Sequence, residues 1–355
     1  WGKFRNSTAA AREQLLATEA GQRGVLLSLA GQTTIAYFDL RNYDAQLNIA
    51  KRTLQTREEA LKIYQARYDE GLISELDFLR AKTETDTMRA NVYTAEYQVA
   101  TAESALMVLS GRSPRAIFEE TPERGLSIDA LPSAPQLPAG LPSELLERRP
   151  DIVAAEAQLR AANYKIGVAK AAWFPSISLT GQLGTQSGKL DQLFTGASDM
   201  WAFGGSISVP LLTFGRISNN VKVSEAAMRE ALANYALTVQ GAFRDIRNAL
   251  VIQQRTTDIA DTLAIAVDNL RKATELARLR YENGYASYLD VLDAERSLFD
   301  AEVQLSNVRT SHLSSIVQVC MALGGGWVDT PGTPTAIPVP APTRAASPRT
   351  ASTSN

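Results

Sequence analysis

From about Ser7 to Arg67 the chain has three glycines and no proline, and Ala, Leu, Glu, Gln and Arg dominate. A second such stretch, from about Ile217 to Arg280, has one glycine and no proline. This composition predicts two helices of about 60 residues, each ~90 Å long at ~1.5 Å rise per residue. Helices of that length point to coiled-coil-like packing. Each is followed by a glycine-bearing turn and a second helix whose apolar and small residues fall four and three apart. In the first the seam is Met88, Val92, Ala95, Val99, Ala102, Leu106 and Leu109; in the second it is Ala301, Leu305, Val308, His312, Ser315, Val319 and Ala322. That spacing is the seam of a left-handed supercoil, and its small residues predict close helix approach. Each pair therefore reads as a long antiparallel helical hairpin tipped by Gly71 or Gly284. Ser74-x-x-Asp77 and Ser287-x-x-Asp290 mark the start of the returning helices, as capping boxes with Asp in place of Glu or Gln.

Between the hairpins the pattern changes. Residues 112–149 hold repeated prolines and read as an irregular connector, after which Pro150 opens a helix that runs to about Ala172. Two uncharged segments then follow a period of two. Ile177, Leu179 and Leu183 alternate with Ser176, Ser178, Thr180 and Gln182; Trp201, Phe203, Ile207 and Val209 alternate with Ala202, Gly204, Ser206 and Ser208. Residues 174–214 are thus expected to form a β-hairpin with one apolar and one polar face. Strands of roughly ten residues suit a membrane barrel; they also suit a half-buried sheet, and period alone does not choose. The Pro, Thr, Ala and Ser-rich tail, 326–355, is expected to be disordered.

The two hairpins are copies of one another. RYDEGLISELDFLRA (Arg67 to Ala81) reappears as RYENGYASYLDVLDA (Arg280 to Ala294), an offset of 213 (284 − 71). The same offset sets Trp1-Gly2-Lys3 on Phe214-Gly215-Arg216, so residues 1–111 and 215–325 are read as two repeats. Two copies make a many-unit solenoid an unsuitable reading.

Bulk properties then remove whole classes. A net charge of −2 supplies no basic field for nucleic acid. One cysteine, Cys320, permits no intrachain disulfide and no cysteine metal cluster, and one histidine, His312, permits no multi-histidine site. His312 lies on the seam at the position equivalent to Val99 and is expected to pack or hydrogen-bond between helices; Cys320 is expected to be a small packing residue. No apolar run reaches the ~18 residues of a membrane-spanning helix. Enzyme signatures are absent: GTQSGKL (Gly184 to Leu190) has the wrong spacing for a phosphate loop and puts Leu190 where Ser or Thr is required. No cofactor is expected.

Several longer stretches carry a resemblance: GLPSELLERRPDI (Gly140 to Ile152), AEAQLRAANYKIGVAKAAWFPSISL (Ala155 to Leu179), LLTFGR (Leu211 to Arg216) and RYENGYASYLDVLDAERSLFDAE (Arg280 to Glu302). In these the chain resembles the TolC-like outer-membrane efflux proteins, most closely the OprM/NodT-like efflux-lipoprotein branch, over roughly residues 1–325. The resemblance implies a homotrimer in which helices form a long periplasmic tube and each chain gives four strands to a shared twelve-stranded outer-membrane barrel. It implies a periplasmic adaptor and an inner-membrane pump, of the RND class, as partners, with the lipid bilayer around the barrel. It also implies that the first repeat's own β-hairpin, a preceding helix, a signal peptide and a lipid-bearing cysteine stand upstream of Trp1, so the sequence is read as an N-terminally truncated fragment. The implied function is a passive efflux conduit for drugs or other small toxic compounds. A protein-export duct and, from another class, a soluble coiled-coil scaffold remain as alternatives; the alternating hairpin argues against the scaffold.

The resemblance also assigns candidate sites. Gly71-Leu72 and Gly284-Tyr285 would meet the adaptor at the tips, beyond the glycines' plain need for a turn. Asp290 and Asp293, one helical turn apart, would form acidic rings at the periplasmic entrance under threefold symmetry. Asp77 is the repeat mate of Asp290, and both also read as helix caps. Asp293 aligns with Arg80, so capping does not require it, and it is the favoured gate residue. Tyr281 is expected either to latch the closed state or to pack.

Overall fold

The computed structural model describes residues 1–126, 148–194 and 196–325. Most of the proline-rich connector and the whole C-terminal tail lie outside the described residues. In chain order the elements are α1 (Lys3–Asp69), α2 (Glu75–Leu109), α3 (Pro114–Glu119), α4 (Pro150–Ala171), β1 (Ser176–Thr185), β2 (Asp199–Ser208), α5 (Arg216–Glu282) and α6 (Tyr288–Ala322). The long helices are longer than composition alone suggested, and the connector opens with a short helix, α3, capped by Ser113 and started by Pro114.

The repeat holds residue for residue. Helices α1 and α5 have 67 residues each, and α2 and α6 have 35 each. At ~1.5 Å per residue the long pair reaches about 100 Å. Both begin behind a left-handed glycine, Gly2 at φ 84° and Gly215 at φ 83°.

Heptad seams hold the hairpins. Met88 and Val92 of α2 bury against Ala50 of α1, while Ala301 and Leu305 of α6 bury against Val267 of α5. Farther along, Val319 and Ala322 meet Ile246 and Ala249. The seams read from sequence are these. A second buried face on α6 was not: Glu302, Ser306 and Thr310 are buried, whereas their repeat mates Arg89, Tyr93 and Tyr97 are not. The reason is position. Helix α2 packs on α1, but α6 packs on both α5 and α1, so it lies inside the wall.

Polar groups line that inner contact. Asn42 donates to Asn307 Oδ1 at 2.8 Å and accepts from Ser306 Oγ at 2.6 Å. Glu302 takes Arg52 from α1 and Arg271 from α5, the latter at 2.9 Å. Seven residues before it, Glu295 is paired with Arg278 at 2.6 Å and lies 3.9 Å from Arg57. His312 reaches Thr257 Oγ1 at 3.2 Å across the α5–α6 seam, the interhelical role expected for it. Cys320 corrects the sequence reading: it is exposed, because its position falls outside both buried faces of α6.

The RRPDI motif forms a joint. Pro150 starts α4, and buried Arg149 just before it donates to the Ala322 carbonyl at 2.9 Å, at the C-terminal end of α6. The same guanidinium pairs with Asp151 at 2.7 Å and lies 3.6 Å from Asp245 on α5. Partial burial opposes ionisation of Asp151, but the Arg149 pairing and the Ile152 N–H outweigh it and hold the carboxyl below its ordinary range. Gly324 at φ 86° allows the close approach; a Cβ there would meet the Arg148 backbone at 3.1 Å. Helix α4 packs on both α1 and α5, and its N-terminal end meets the C-terminal end of α6.

The two strands pair antiparallel, with Ile177 opposite Ile207 and Leu183 opposite Trp201. One face carries Ile177, Leu179, Leu183, Trp201, Phe203 and Ile207; the other carries Ser176, Ser178, Thr180, Ser206 and Ser208. Ser178 and Ser206 hydrogen-bond at 2.7 Å on the polar face. On the apolar face Phe203 covers Gly181, where a Cβ would meet the ring at 3.0 Å. All six apolar side chains are exposed, Leu183 at 87%. Ten residues give about 33 Å of strand, which at the tilt of a barrel spans about 25 Å. At the hairpin's base Trp1 donates to the Pro175 carbonyl and stacks on Phe174 at 5.4 Å. No helix among the described residues is long and apolar enough to cross a membrane.

Candidate gate and docking tips

At each tip the helix ends in the same hydrogen-bonded turn. Gly71 N–H donates to Tyr68 O at 2.9 Å and Leu72 N–H to Arg67 O at 2.8 Å. In the second copy Gly284 donates to Tyr281 O at 3.0 Å and Tyr285 to Arg280 O at 2.8 Å. This paired closure needs a left-handed residue at its centre, and the glycines supply it at φ 75° and 74°. It leaves Leu72 and Tyr285 pointing outward, 68% and 77% exposed. A folded chain gains nothing internal from two large apolar side chains held there.

The acidic residues separate by partner. Asp290 accepts from the Ser287 backbone N–H at 2.9 Å, completing a capping box with the Ser287 hydroxyl. Asp77 accepts from the Ser74 hydroxyl at 2.7 Å and lies 3.8 Å from Arg80. Both are therefore engaged in starting their helices. Asp293 is exposed, one turn farther along, and has no ion-pair partner among the described residues. The structure brings Asp290 and Asp293 together on one turn of α6 and sets Asp77 at the other tip.

Tyr281 joins the two repeats. Its ring centroid lies 5.7 Å from Tyr288 and 6.1 Å from Tyr64, and Tyr64 and Tyr288 are 4.2 Å apart. Arg67 Nη1 reaches the Tyr281 hydroxyl at 3.5 Å. Burial, with contributions from Tyr281, pushes the Tyr64 phenol up, and burial does the same at Tyr288. Tyr68, by contrast, stacks on Phe78 inside the first hairpin at 5.1 Å. Repeat comparison passes over Tyr64 and Tyr288 because their mates are Ala277 and Glu75. The available signal was the crowding of aromatic residues near both tips. Among the described residues, no group of three or more His, Cys, Asp or Glu is placed to hold a metal ion.

Known proteins share this arrangement. The outer membrane efflux protein family matches residues 1–112 and 141–325. The solvent efflux pump outer membrane protein SrpC of Pseudomonas putida is 37% identical over 328 residues, covering 92% of this chain and 68% of SrpC. The cation efflux system protein CusC of Escherichia coli is 35% identical over 327 residues, covering 92% of this chain and 70% of CusC. In three dimensions the chain superposes on the Campylobacter jejuni CmeC outer membrane channel with a TM-score of 0.85 at 30% identity, over 93% of this chain and 69% of that one. With two in-register helical hairpins, a strand pair split into apolar and polar faces, and matches that run through both, the chain belongs to the outer membrane efflux protein family.

Proposed function

We propose that the chain is one subunit of a trimeric outer-membrane duct that passes small toxic compounds or drugs from a periplasmic adaptor and inner-membrane pump to the exterior. As an outer membrane efflux protein it works as a channel, not an enzyme, with its helical wall on the periplasmic side. The β-hairpin carries the reading. Six exposed apolar side chains on one face suit lipid, and serines and threonine on the other suit a wet lumen. Two strands alone leave both edges unpaired, which hydrocarbon does not tolerate, so other strands must close the sheet. A shared barrel from three chains supplies that closure.

Within this reading the tips at Gly71-Leu72 and Gly284-Tyr285 take the adaptor, since exposed apolar tip residues favour a partner. Asp293 is the gate residue: it is exposed and has no cap to maintain. Asp290 and Asp77 contribute charge nearby while capping, and Tyr281 holds the second hairpin's end against the first through Tyr64 and Arg67. Relatives named for solvent and for cation efflux agree with a cargo of small toxic compounds.

The test is single-channel conductance in planar bilayers. Asp293→Ala should raise conductance, or admit antibiotic in cells, while Asp77→Ala should do so less. An Asp293→Ala channel with unchanged conductance and unchanged leak would remove the gate role.

A further inference from the structure

The two hairpins are alike enough to exchange their returning helices. Helices α2 and α6 have 35 residues each, and each follows its long helix through a short tip, 70–74 or 283–287. Opened at both tips, α1 with α2 and α5 with α6 become two rods. Laid antiparallel, the rods set α6 on α1 and α2 on α5. Such exchange is a characteristic failure of repeated units joined by short hinges. The apolar seams do not prevent it. Val92 and its mate Leu305 are both buried and aliphatic, and the residues they pack on, Leu54 and Val267, are aliphatic mates as well.

The interhelical ion pairs do differ. Three join α1 to α2: Glu58 with Arg89 at 2.9 Å, Arg57 with Glu84 at 2.8 Å and Lys51 with Glu96 at 3.0 Å. Two join α5 to α6: Arg271 with Glu302 at 2.9 Å and Arg278 with Glu295 at 2.6 Å. Glu58–Arg89 and Arg271–Glu302 occupy the same position in the two repeats, with the charges reversed. The other three pairs have no opposite charges at their mates. Gln65 and Lys82 stand opposite Arg278–Glu295 in the alignment, Ala264 and Arg309 opposite Lys51–Glu96, and Leu270 and Ser297 opposite Arg57–Glu84.

Exchange would set like charges together at these positions. Glu58 would face Glu302, Lys51 would face Arg309, Arg271 would face Arg89 and Arg278 would face Lys82. None of the positions would gain an opposite charge. An exposed ion pair is worth little alone, so the effect lies in four contacts acting in one direction and in two buried groups. Arg57, 5% exposed, would lose Glu84 and face Ser297; Glu302, 8% exposed, would meet a second carboxylate. We infer that the charge difference between the repeats is a pairing code, which keeps α2 on α1 and α6 on α5 and excludes exchange of the returning helices, within a chain or between copies.

Thiol cross-linking in a Cys320→Ser background reads the pairing. Leu54→Cys with Val92→Cys reports the native first hairpin. Val92→Cys with Val267→Cys reports exchange, because each of those side chains is buried toward its own hairpin. With the native charges only the first cysteine pair should cross-link; equal cross-linking of both would overturn the inference. Lys51→Glu, Glu58→Arg, Arg89→Glu and Glu96→Lys together keep two ion pairs of the first hairpin, reversed, and make three of the four like-charge contacts attractive. That variant should raise the exchange cross-link several-fold at the expense of the native one. The milder Glu58→Arg with Arg89→Glu should raise it less, and it serves where four substitutions prevent folding. A native cross-link undiminished in both variants, with no rise in the exchange cross-link, would overturn the code. Loss of both cross-links in both variants would overturn it too, because exchange requires folded helices.

Discussion

At the scale of single residues, the tips show structural need and functional surplus side by side. Gly284 is required by its φ of 74°, and open space around its missing Cβ means that backbone conformation alone enforces the choice. Gly284→Ala should therefore cost about 1–2 kcal/mol locally, the penalty of a left-handed alanine. Amide hydrogen exchange at Tyr285 to Ser287 should quicken, with the body of α5 unchanged. Asp290 likewise has a local reason to exist, since removing a capping side chain costs about 1 kcal/mol. Asp293, Leu72 and Tyr285 have no such internal role. That difference is what directs the gate and docking proposals to them.

Among elements, the decisive one is the joint where α6 ends and α4 begins. Buried Arg149 gathers a helix-end carbonyl and the partly exposed carboxylates of Asp151 and Asp245 into one cluster. Asp151 is held below its ordinary range, so its stabilisation is fully present above an unfolded pKa of ~3.9 and is lost as pH falls through the lower folded value. Asp151→Asn should lower the thermal midpoint at pH 7, and the gap from wild type should close as pH drops below about 4. The motif was visible in sequence only as a family mark, because its partners Ala322 and Asp245 stand far away along the chain. Local pattern did better where neighbours in sequence are neighbours in space. Hairpin tips, seams, caps and the strand faces were legible because helical and strand periods are local properties. The second buried face of α6 was not, since Glu302 and Ser306 look like surface residues until α1 covers them. Tyr64 and Tyr288 escaped for the same reason.

For the whole molecule, duplication supplies a wall of two hairpins, and the β-hairpin supplies its place in a membrane. The contact between α1 and α6 is polar and ion-paired. The central claim remains that the two strands lie in lipid on one face and water on the other. Depth-dependent fluorescence quenching addresses it most directly. In a Cys320→Ser background, an environment-sensitive dye is attached at Leu183→Cys or, separately, at its neighbour Gln182→Cys, in the channel in lipid vesicles. The account predicts quenching of the first by bromine- or nitroxide-bearing lipid tails and of the second by aqueous iodide. Equal access of iodide to both positions, with no lipid quenching at either, would contradict it.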